Sequence, residues 1–298
     1  MSPQQAPKQS EAVTFYVALW KRAGIERSDF DNYWRDVHGP VCARLPGQHD
    51  YWQYHLNDAE GGIFPAIPGV QTVCKAEDQF YGIAELTFTS PAMRQTWFTA
   101  STILMDDEHN IFSKAIGYTT SPGNSQTLVN KEATTHRNGK SAGPRYHILI
   151  RKSTAQSVET FRQHLREVVA PGLASIPEVL KLRYHLFDEL DLSRPDAQGV
   201  AHSEPVESQY HGALELAFSS PMDRERALSS PSYEKATGQL SEFASAMIPF
   251  PEGTAYTFVH DESITMTGMR GAHTAQLIEN LGALNQLKED ITKLMMGN

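Results

Sequence analysis

His38 is the residue whose type and setting most clearly suggest chemistry. Its imidazole titrates near neutral pH, so it can accept a proton and return it under physiological conditions. It ends the segment at residues 30–38, FDNYWRDVH, and precedes Gly39-Pro40, a pair expected to stop a helix. Carbonyl groups at a helix end would favour the charged imidazole. The alternative is structural, with the ring capping one of those carbonyls.

A diluted copy of this segment occurs at residues 161–185 and lacks the histidine. Val169 takes the place of His38, whereas Pro171 is kept in the place of Pro40. A histidine needed only to end the helix would be expected in both copies. The comparison therefore favours a functional role for His38 and predicts that the first half of the chain carries the working site.

Two further residue types recur in both halves and are candidates for the same chemistry. Glu85 and Glu215 are carboxylates on otherwise apolar stretches, GIAELTF and GALELAF. A buried carboxylate has a raised pKa and can serve as acid or base, or it can be the structural partner of an arginine such as Arg94. Tyr54 lies in a Tyr-His-Leu run that recurs 130 residues later. Its hydroxyl could donate a hydrogen bond to a developing oxyanion, so the predicted catalytic residues are His38, Tyr54 and Glu85.

Aromatic side chains near these residues predict a pocket for a flat, apolar molecule, although such a stripe also occurs as ordinary core. The predicted substrate-binding residues are Tyr33, Trp34, Trp52, Tyr81 and His55. The predicted partner is accordingly a small hydrophobic molecule.

Metal and nucleotide sites are not predicted. The 12 histidines show none of the HxH, HExxH or Cys-His spacings that hold a metal, and no glycine-rich phosphate loop is present. Cys42 and Cys74 are too few for a disulfide framework and are expected to be reduced thiols, and no motif supports a nucleophilic Cys42. We therefore predict no cofactor, with haem on a histidine such as His185 as an alternative.

Composition narrows the class of protein. The net charge is −9 over 298 residues, which argues against a nucleic-acid binder. No apolar run approaches the length of a membrane span, and the polar start MSPQQAPKQSEA lacks the apolar core of a signal peptide. We therefore predict a cytoplasmic protein that binds neither nucleic acid nor membrane.

The elements that would position these residues follow from apolar–polar alternation and from capping signals. Ser90-Pro91 and Ser220-Pro221 predict helix starts, and Ser28 or Asp29 could cap the first helix. Strands are predicted at 13–20, 50–56, 79–87, around 115–118, 146–150, 180–187, 210–218 and 255–259.

The order β-α-β-β-α-β occurs twice, which predicts an α+β protein made of two ferredoxin-like modules. Two such sheets can cover each other's bare faces, giving an intramolecular barrel with a central cavity. The predicted boundaries are a disordered start at 1–11, module 1 at 12–120, a linker at 121–143, module 2 at 144–260 and a C-terminal helical tail at 261–298. The tail has an apolar stripe that predicts packing either on the body or against a second subunit as a homodimer.

The segment YWRDVHGP, the following LPG and aromatic strand, and the junction AELTFTSP resemble the EthD family. The resemblance covers two modules over roughly residues 12–260 and is better in the first. It implies dimeric α+β barrels of ferredoxin-like fold, with cofactor-free isomerases and aromatic-polyketide dehydratases or cyclases among the members. By this resemblance His38 and Tyr54 would be site residues. One such isomerase also uses a cysteine beside the glutamate, where this chain has Leu86, so its full mechanism does not transfer.

The sequence therefore predicts a cofactor-free lyase or isomerase that moves a proton on an aromatic or enolisable metabolite. The alternative is a non-catalytic protein that binds such a metabolite for a partner oxygenase.

Overall fold

The computed structural model describes residues 11–59, 61–133, 136–192 and 196–297. The strands in these ranges are β1 (Val13–Lys21), β2 (Asp50–Leu56), β3 (Gly82–Phe88), β4 (Phe112–Thr119), β5 (Ser125–Asn130), β6 (Asn138–Gly139), β7 (Arg145–Lys152), β8 (Val179–Leu186), β9 (Gly212–Phe218), β10 (Ala244–His260) and β11 (Ser263–Ile264). The helices are α1 (Arg27–Tyr33), α2 (Gly39–Cys42), α3 (Pro91–Ala100), α4 (Thr102–Ile111), α5 (Val158–His164), α6 (Ala170–Ala174), α7 (Pro221–Leu228), α8 (Pro231–Thr237), α9 (Leu240–Phe243), α10 (Met266–Arg270), α11 (Ala272–Leu281) and α12 (Glu289–Met296).

The strands form one large antiparallel sheet with the order β4-β1-β3-β2-β10-β7-β9-β8-β5. The order β4-β1-β3-β2 in the first half is the same as β10-β7-β9-β8 in the second. Strand β10 joins them, because its first part pairs with β7 and its second part with β2. The protein is thus a mixed α/β fold built on antiparallel strands.

The helix before Gly39 does not stop there, contrary to the sequence prediction. Residues 34–38 form a π-helical turn, and the chain continues directly into α2 with Gly39 in the right-handed helical region. The backbone N–H of Gly39 donates to the carbonyl of Trp34, five residues back. Pro40 then occupies the start of α2, where its missing N–H is tolerated. His38 therefore lies within a helical run rather than at its end, and the argument from terminal carbonyls fails.

The same turn occurs in the second half at residues 165–169, between α5 and α6. Pro171 is again placed just after it. The π-turn is therefore a property of the shared scaffold, independent of the histidine. The expected cap at Ser28 or Asp29 is also wrong, because α1 begins at Arg27 without a side-chain cap, whereas Ser90 and Ser220 cap α3 and α7 as predicted.

The segment predicted to be a linker contributes to the sheet. Strand β5 pairs with β8 at the end of the sheet, and β6 pairs with β10. Strand β10 is also far longer than the predicted 255–259, since it begins at Ala244. Both elements were missed because their residues are polar or interrupted by proline and glycine, so local alternation is weak.

Each half places its long loop on the other half. In the first-half loop, Gln71 exchanges backbone hydrogen bonds with β10, donating to Ser245 (2.9 Å) and accepting from Met247 (2.9 Å). In the second-half loop, Ala201 donates to Ser113 (3.1 Å) and accepts from Ala115 of β4 (2.9 Å). The two halves are therefore locked by reciprocal contacts.

The tail is helical and amphipathic, as predicted. Gly282 ends α11 in the left-handed conformation. The side chains of the apolar stripe are largely exposed, with Leu281 and Leu284 each 73% exposed. Pairing with a second subunit stays a prediction. Within the described ranges, none of the helices is long and apolar enough to cross a membrane.

Candidate active site

A cavity lies in the first half between the sheet and its helices, and His38 lines it. The lining is mostly apolar, and the empty volume is about 540 Å³ including the open mouth. The free interior is narrow, about 50 Å³, so a ring-sized ligand requires lining side chains to move. The lining residues used below are Trp34, His38, Cys42, Tyr51, Trp97 and Glu108.

His38 is held in place by Asp107, a residue of α4. Its Nδ1 lies 2.8 Å from Oδ2 of Asp107, and the imidazole is almost fully buried. Asp107 also accepts from the Tyr33 hydroxyl (2.6 Å) and from the Asn110 amide (3.0 Å). Burial alone would raise the pKa of Asp107, but the hydrogen bonds from His38, Tyr33 and Asn110 lower it to about 2.

This ion pair fixes the imidazole in one chemical form. A carboxylate with a pKa of about 2 is ionised at neutral pH and can only accept hydrogen bonds. Nδ1 of His38 must then carry a proton, which leaves Nε2 as the basic nitrogen of the neutral ring. Nε2 of His38 has no hydrogen-bond partner in the described part of the chain. The arrangement provides an oriented general base at the wall of an apolar cavity.

Tyr51 and Cys42 face the same cavity. The Tyr51 hydroxyl accepts a hydrogen bond of 2.8 Å from the side-chain amide of Gln53 and is free to donate its own proton. Burial raises the pKa of Tyr51 well above its usual value, so the phenol stays protonated. Burial likewise raises the pKa of Cys42 to about 12, which keeps the thiol protonated and argues against a nucleophile.

Two of the three predicted catalytic residues lie on the opposite face of the sheet from His38. Tyr54 and Glu85 point into the space between the two halves, where the Tyr54 hydroxyl donates to Oε2 of Glu85 at 3.4 Å. Adjacent strand residues alternate in direction, so Tyr51 faces the helices and Tyr54 faces away from them. The prediction that His38, Tyr54 and Glu85 form one site is therefore wrong.

Glu85 belongs to a buried network of charges between the halves. Oε1 of Glu85 lies 2.9 Å from Arg183, so its cationic partner is Arg183 rather than Arg94. Glu215 contacts Arg145 at 2.6 Å and Lys181 at 3.0 Å. Burial raises the pKa of Glu85, and the charge of Glu215 adds to this effect. Burial would also raise the pKa of Glu215, but Lys181 and Arg145 lower it well below its usual value.

The repeated Tyr-His-Leu runs are one residue out of register in the structure. His55 pairs with Gly82, whereas Leu186, not His185, pairs with the equivalent Gly212. A slip of one residue exchanges the two faces of a strand. His55 therefore lies under α1, and His185 lies between the halves, so the apparent repeat of this histidine is coincidental.

The predicted substrate-binding residues are divided among several places. Trp34 lines the cavity, and Tyr33 supports Asp107 from its edge. Trp52 faces Arg183 between the halves. Arg27 stacks over Tyr81, away from the cavity lining. His55 packs on Trp34 with ring centroids 4.4 Å apart, and its Nδ1 contacts Asp31 at 2.8 Å; burial nevertheless lowers its pKa.

No cluster of metal-ligating side chains is found in the described residues. The haem alternative placed its iron on His185. Nδ1 of His185 contacts Ser125 at 2.9 Å and Nε2 lies 3.7 Å from Glu85, while Tyr16 packs on the ring at 5.2 Å. These surroundings leave no space for iron and a porphyrin on this nitrogen, so His185 does not fit a haem.

Sequence reasoning missed Asp107, Glu108 and Tyr51 as members of the site. Asp107 and Glu108 occur in the run MDDEHN, which reads as an ordinary solvated helix face. Tyr51 was assigned to the same strand face as Gln53 and His55, which is correct. The signal for choosing Tyr51 over Tyr54 was therefore available, because a helix carrying His38 must cover one face only.

Comparison with known proteins agrees with this mixed α/β class. The EthD domain profile matches residues 22–115, the part of the chain that contains His38 and Asp107. A candidate monooxygenase from Fusobacterium nucleatum subsp. nucleatum has a similar structure, with a TM-score of 0.50, 7% identity, and coverage of 86% of this chain and 97% of its own. An anthrone oxidase-like protein has a TM-score of 0.50 at 8% identity and covers 85% of this chain and 95% of its own. No curated protein sequence matches the chain.

Proposed function

We propose that the protein is a lyase or isomerase that transfers a proton on a small aromatic or enolisable compound. His38 is the general base and Asp107 fixes its tautomer. Tyr51 donates a hydrogen bond to the oxygen on which negative charge develops, in the role that the sequence assigned to Tyr54. Proton transfer by an imidazole needs no cofactor, and general-base catalysis contributes roughly 10²- to 10⁴-fold in rate.

The observation that carries this proposal is the contact between His38 and Asp107 at the wall of an apolar cavity. The 2.8 Å contact holds the ring, and the low pKa of Asp107 makes Nε2 the basic atom. The apolar lining suits a hydrophobic substrate and limits competing water. The dehydratase, cyclase and lactone isomerase reactions of the proposal share this first proton abstraction.

We further propose that residues 12–120 and 144–260 are two EthD-like modules fused in tandem as an intramolecular barrel. The matching strand order in the two halves supports the duplication. The pairing of β10 with both β7 and β2, and of β5 with β8, supports closure between the halves. On this proposal the second module completes the barrel and the first carries the site.

Anthrone is a suitable probe, since it is a flat aromatic ketone with an enolisable methylene group. Exchange of this methylene hydrogen for deuterium in buffered D₂O, followed by proton NMR under nitrogen, reports proton abstraction directly. The wild-type protein is expected to accelerate exchange, and His38→Gln to lose at least about 100-fold of that acceleration. Val169→Ala, the matched change in the second half, is expected to keep it.

Two outcomes contradict the proposal. One is wild-type exchange at the rate of buffer alone, and the other is full acceleration in a folded His38→Gln variant. Tight binding of anthrone without acceleration would favour the alternative of a non-catalytic binding protein. Circular dichroism of each variant establishes that it is folded.

A further inference from the structure

Glu108 is a second buried acid at the cavity, beside Asp107 on α4. Its side chain lines the cavity and is only 10% exposed. Oε2 of Glu108 lies 2.5 Å from Nε2 of His202, a histidine whose side chain is fully buried. The cavity thus has two acid–imidazole pairs on its walls, and the function proposed above uses only that of His38.

His202 comes from the other half of the chain. The loop that carries it is bonded to β4 through Ala201, and Val200 packs in the apolar cluster of the first half. The backbone N–H of His202 donates to Oδ1 of Asp196 at 2.7 Å, which fixes the local turn. The second half therefore contributes a titratable group to the first half's site, in addition to closing the barrel.

The second half has no such pair at the equivalent positions. Glu108 is four residues before β4, and Leu240 is four residues before β10. His202 follows the residue that bridges to β4, and Thr72 follows the one that bridges to β10. A buried carboxylate and imidazole are costly unless they bind each other, so the scaffold alone does not require them.

We infer that Glu108, held by His202, is the second proton-transfer group of this site. The inference rests on the function proposed for His38. The Glu108–His202 pair shares a proton and donates it to the substrate oxygen while Nε2 of His38 takes one from carbon. The C–H bond breaks, its electrons form the enol double bond, and the carbonyl electrons form the new O–H bond. His38 ends with one proton more and the pair with one fewer, and exchange with solvent restores both.

The interconversion of anthrone and its enol tests this step, because it needs a proton removed from carbon and another added to oxygen. The two forms are distinguished by absorbance, again under nitrogen. Glu108→Gln is expected to slow the interconversion at least about tenfold while the dissociation constant for anthrone changes by less than about threefold. His202→Gln, which keeps a hydrogen-bond donor but cannot carry the extra proton, is expected to act in the same direction.

Thr72→Ala in the other loop is the matched control and is expected to leave the rate unchanged. A merely structural role of Glu108 would lower the melting temperature without changing the rate of the folded protein, and that result overturns the inference. If Glu108→Gln keeps the full interconversion rate while His38→Gln abolishes methylene exchange, the inference fails and the proposed function stands. If the wild-type protein moves no proton of anthrone, both fail.

Discussion

The two halves of this chain share a scaffold and differ in what they bury against it. Both have the same strand order and the same π-turn, but the positions around the first half's cavity carry polar groups that the second half replaces. Val169 stands for His38, Leu182 for Tyr51, Leu240 for Glu108 and Gln239 for Asp107. The second half shows that aliphatic packing satisfies this fold. The polar residues of the first half are therefore best explained by function.

The largest expected effect comes from breaking the pair that distinguishes the halves. Asp107→Asn allows an amide to donate to Nδ1 of His38, which favours the tautomer with a protonated Nε2 and removes the base. Methylene exchange in anthrone is expected to fall roughly 10³- to 10⁴-fold. Gln239→Asn, at the equivalent exposed position, is the control. A loss smaller than about tenfold would contradict the role of Asp107.

The paired glutamates between the halves are expected to respond oppositely to neutralisation. Glu215→Gln leaves Arg145 and Lys181 buried without their acid and is expected to lower the free energy of unfolding at pH 7 by about 3–5 kcal/mol. Glu85 has a raised pKa, so its ionisation at neutral pH opposes folding, and Glu85→Gln is expected to cost less than about 1 kcal/mol. Urea unfolding of both variants checks this. Equal losses would contradict the assigned charges.

Acid is expected to destabilise the protein through Glu252, which follows the same β position in the second half as Thr120 in the first. Burial would raise the pKa of Glu252, but Arg137, His147 and Arg145 lower it to about 2. A lowered pKa stabilises the folded state above the unfolded pKa of about 4.3, and this is lost as the pH falls towards 2.

The loss amounts to on the order of 3 kcal/mol and is absent in Glu252→Gln. Unfolding free energies measured between pH 5 and pH 2 test it, with Thr120→Ala as the control. The same slope in wild type and Glu252→Gln would show that other carboxylates govern acid unfolding.

A smaller effect separates the two tyrosines of β2. Tyr51→Phe removes a hydroxyl from the cavity and is expected to slow methylene exchange about tenfold. Tyr54→Phe removes one from the space between the halves and is expected to leave the exchange rate within about twofold, with a loss of about 1 kcal/mol in stability. If Tyr54→Phe slows exchange more, the site lies on the wrong face.

The smallest effect on stability is expected in the tail, where the halves diverge after their last common strand. The chain after β4 forms β5 and pairs with β8, whereas the chain after β10 leaves the sheet for α11 and α12. If a second subunit covers the tail, Leu281→Glu with Leu284→Glu converts dimer to monomer in analytical ultracentrifugation. The unfolding free energy of the monomer should change by less than about 0.5 kcal/mol per substitution. A monomeric wild type contradicts this pairing.

Much of the fold was predictable from local patterns. Alternation identified most strands, and Ser-Pro pairs located the starts of α3 and α7. The helical run through Pro40 was not predictable, because a π-turn has no simple sequence signal and changes which carbonyl lacks a partner. Strand β5 depends on pairing with β8, a contact between residues far apart in sequence that periodicity does not encode.

The site was only partly predictable. His38 and Trp34 were identified, but Tyr54 and Glu85 were joined to them across the sheet. The matching Tyr-His-Leu runs misled, because the second half has one residue fewer between β8 and β9 than the first has between β2 and β3. Local identity cannot reveal such a slip, whereas the pairing partner of each strand residue does.

The double pairing of β10 has a consequence for synthesis on the ribosome. Strand β2 is complete by residue 56, yet its free edge is covered only by residues 252–259 of β10. Until those residues emerge, the nascent first half exposes an unpaired strand edge rich in aromatic side chains, a known route to misassembly between chains. Completion of the barrel must therefore wait for almost the whole chain, which makes slow, late-committing folding and a need for chaperones during translation the expected behaviour.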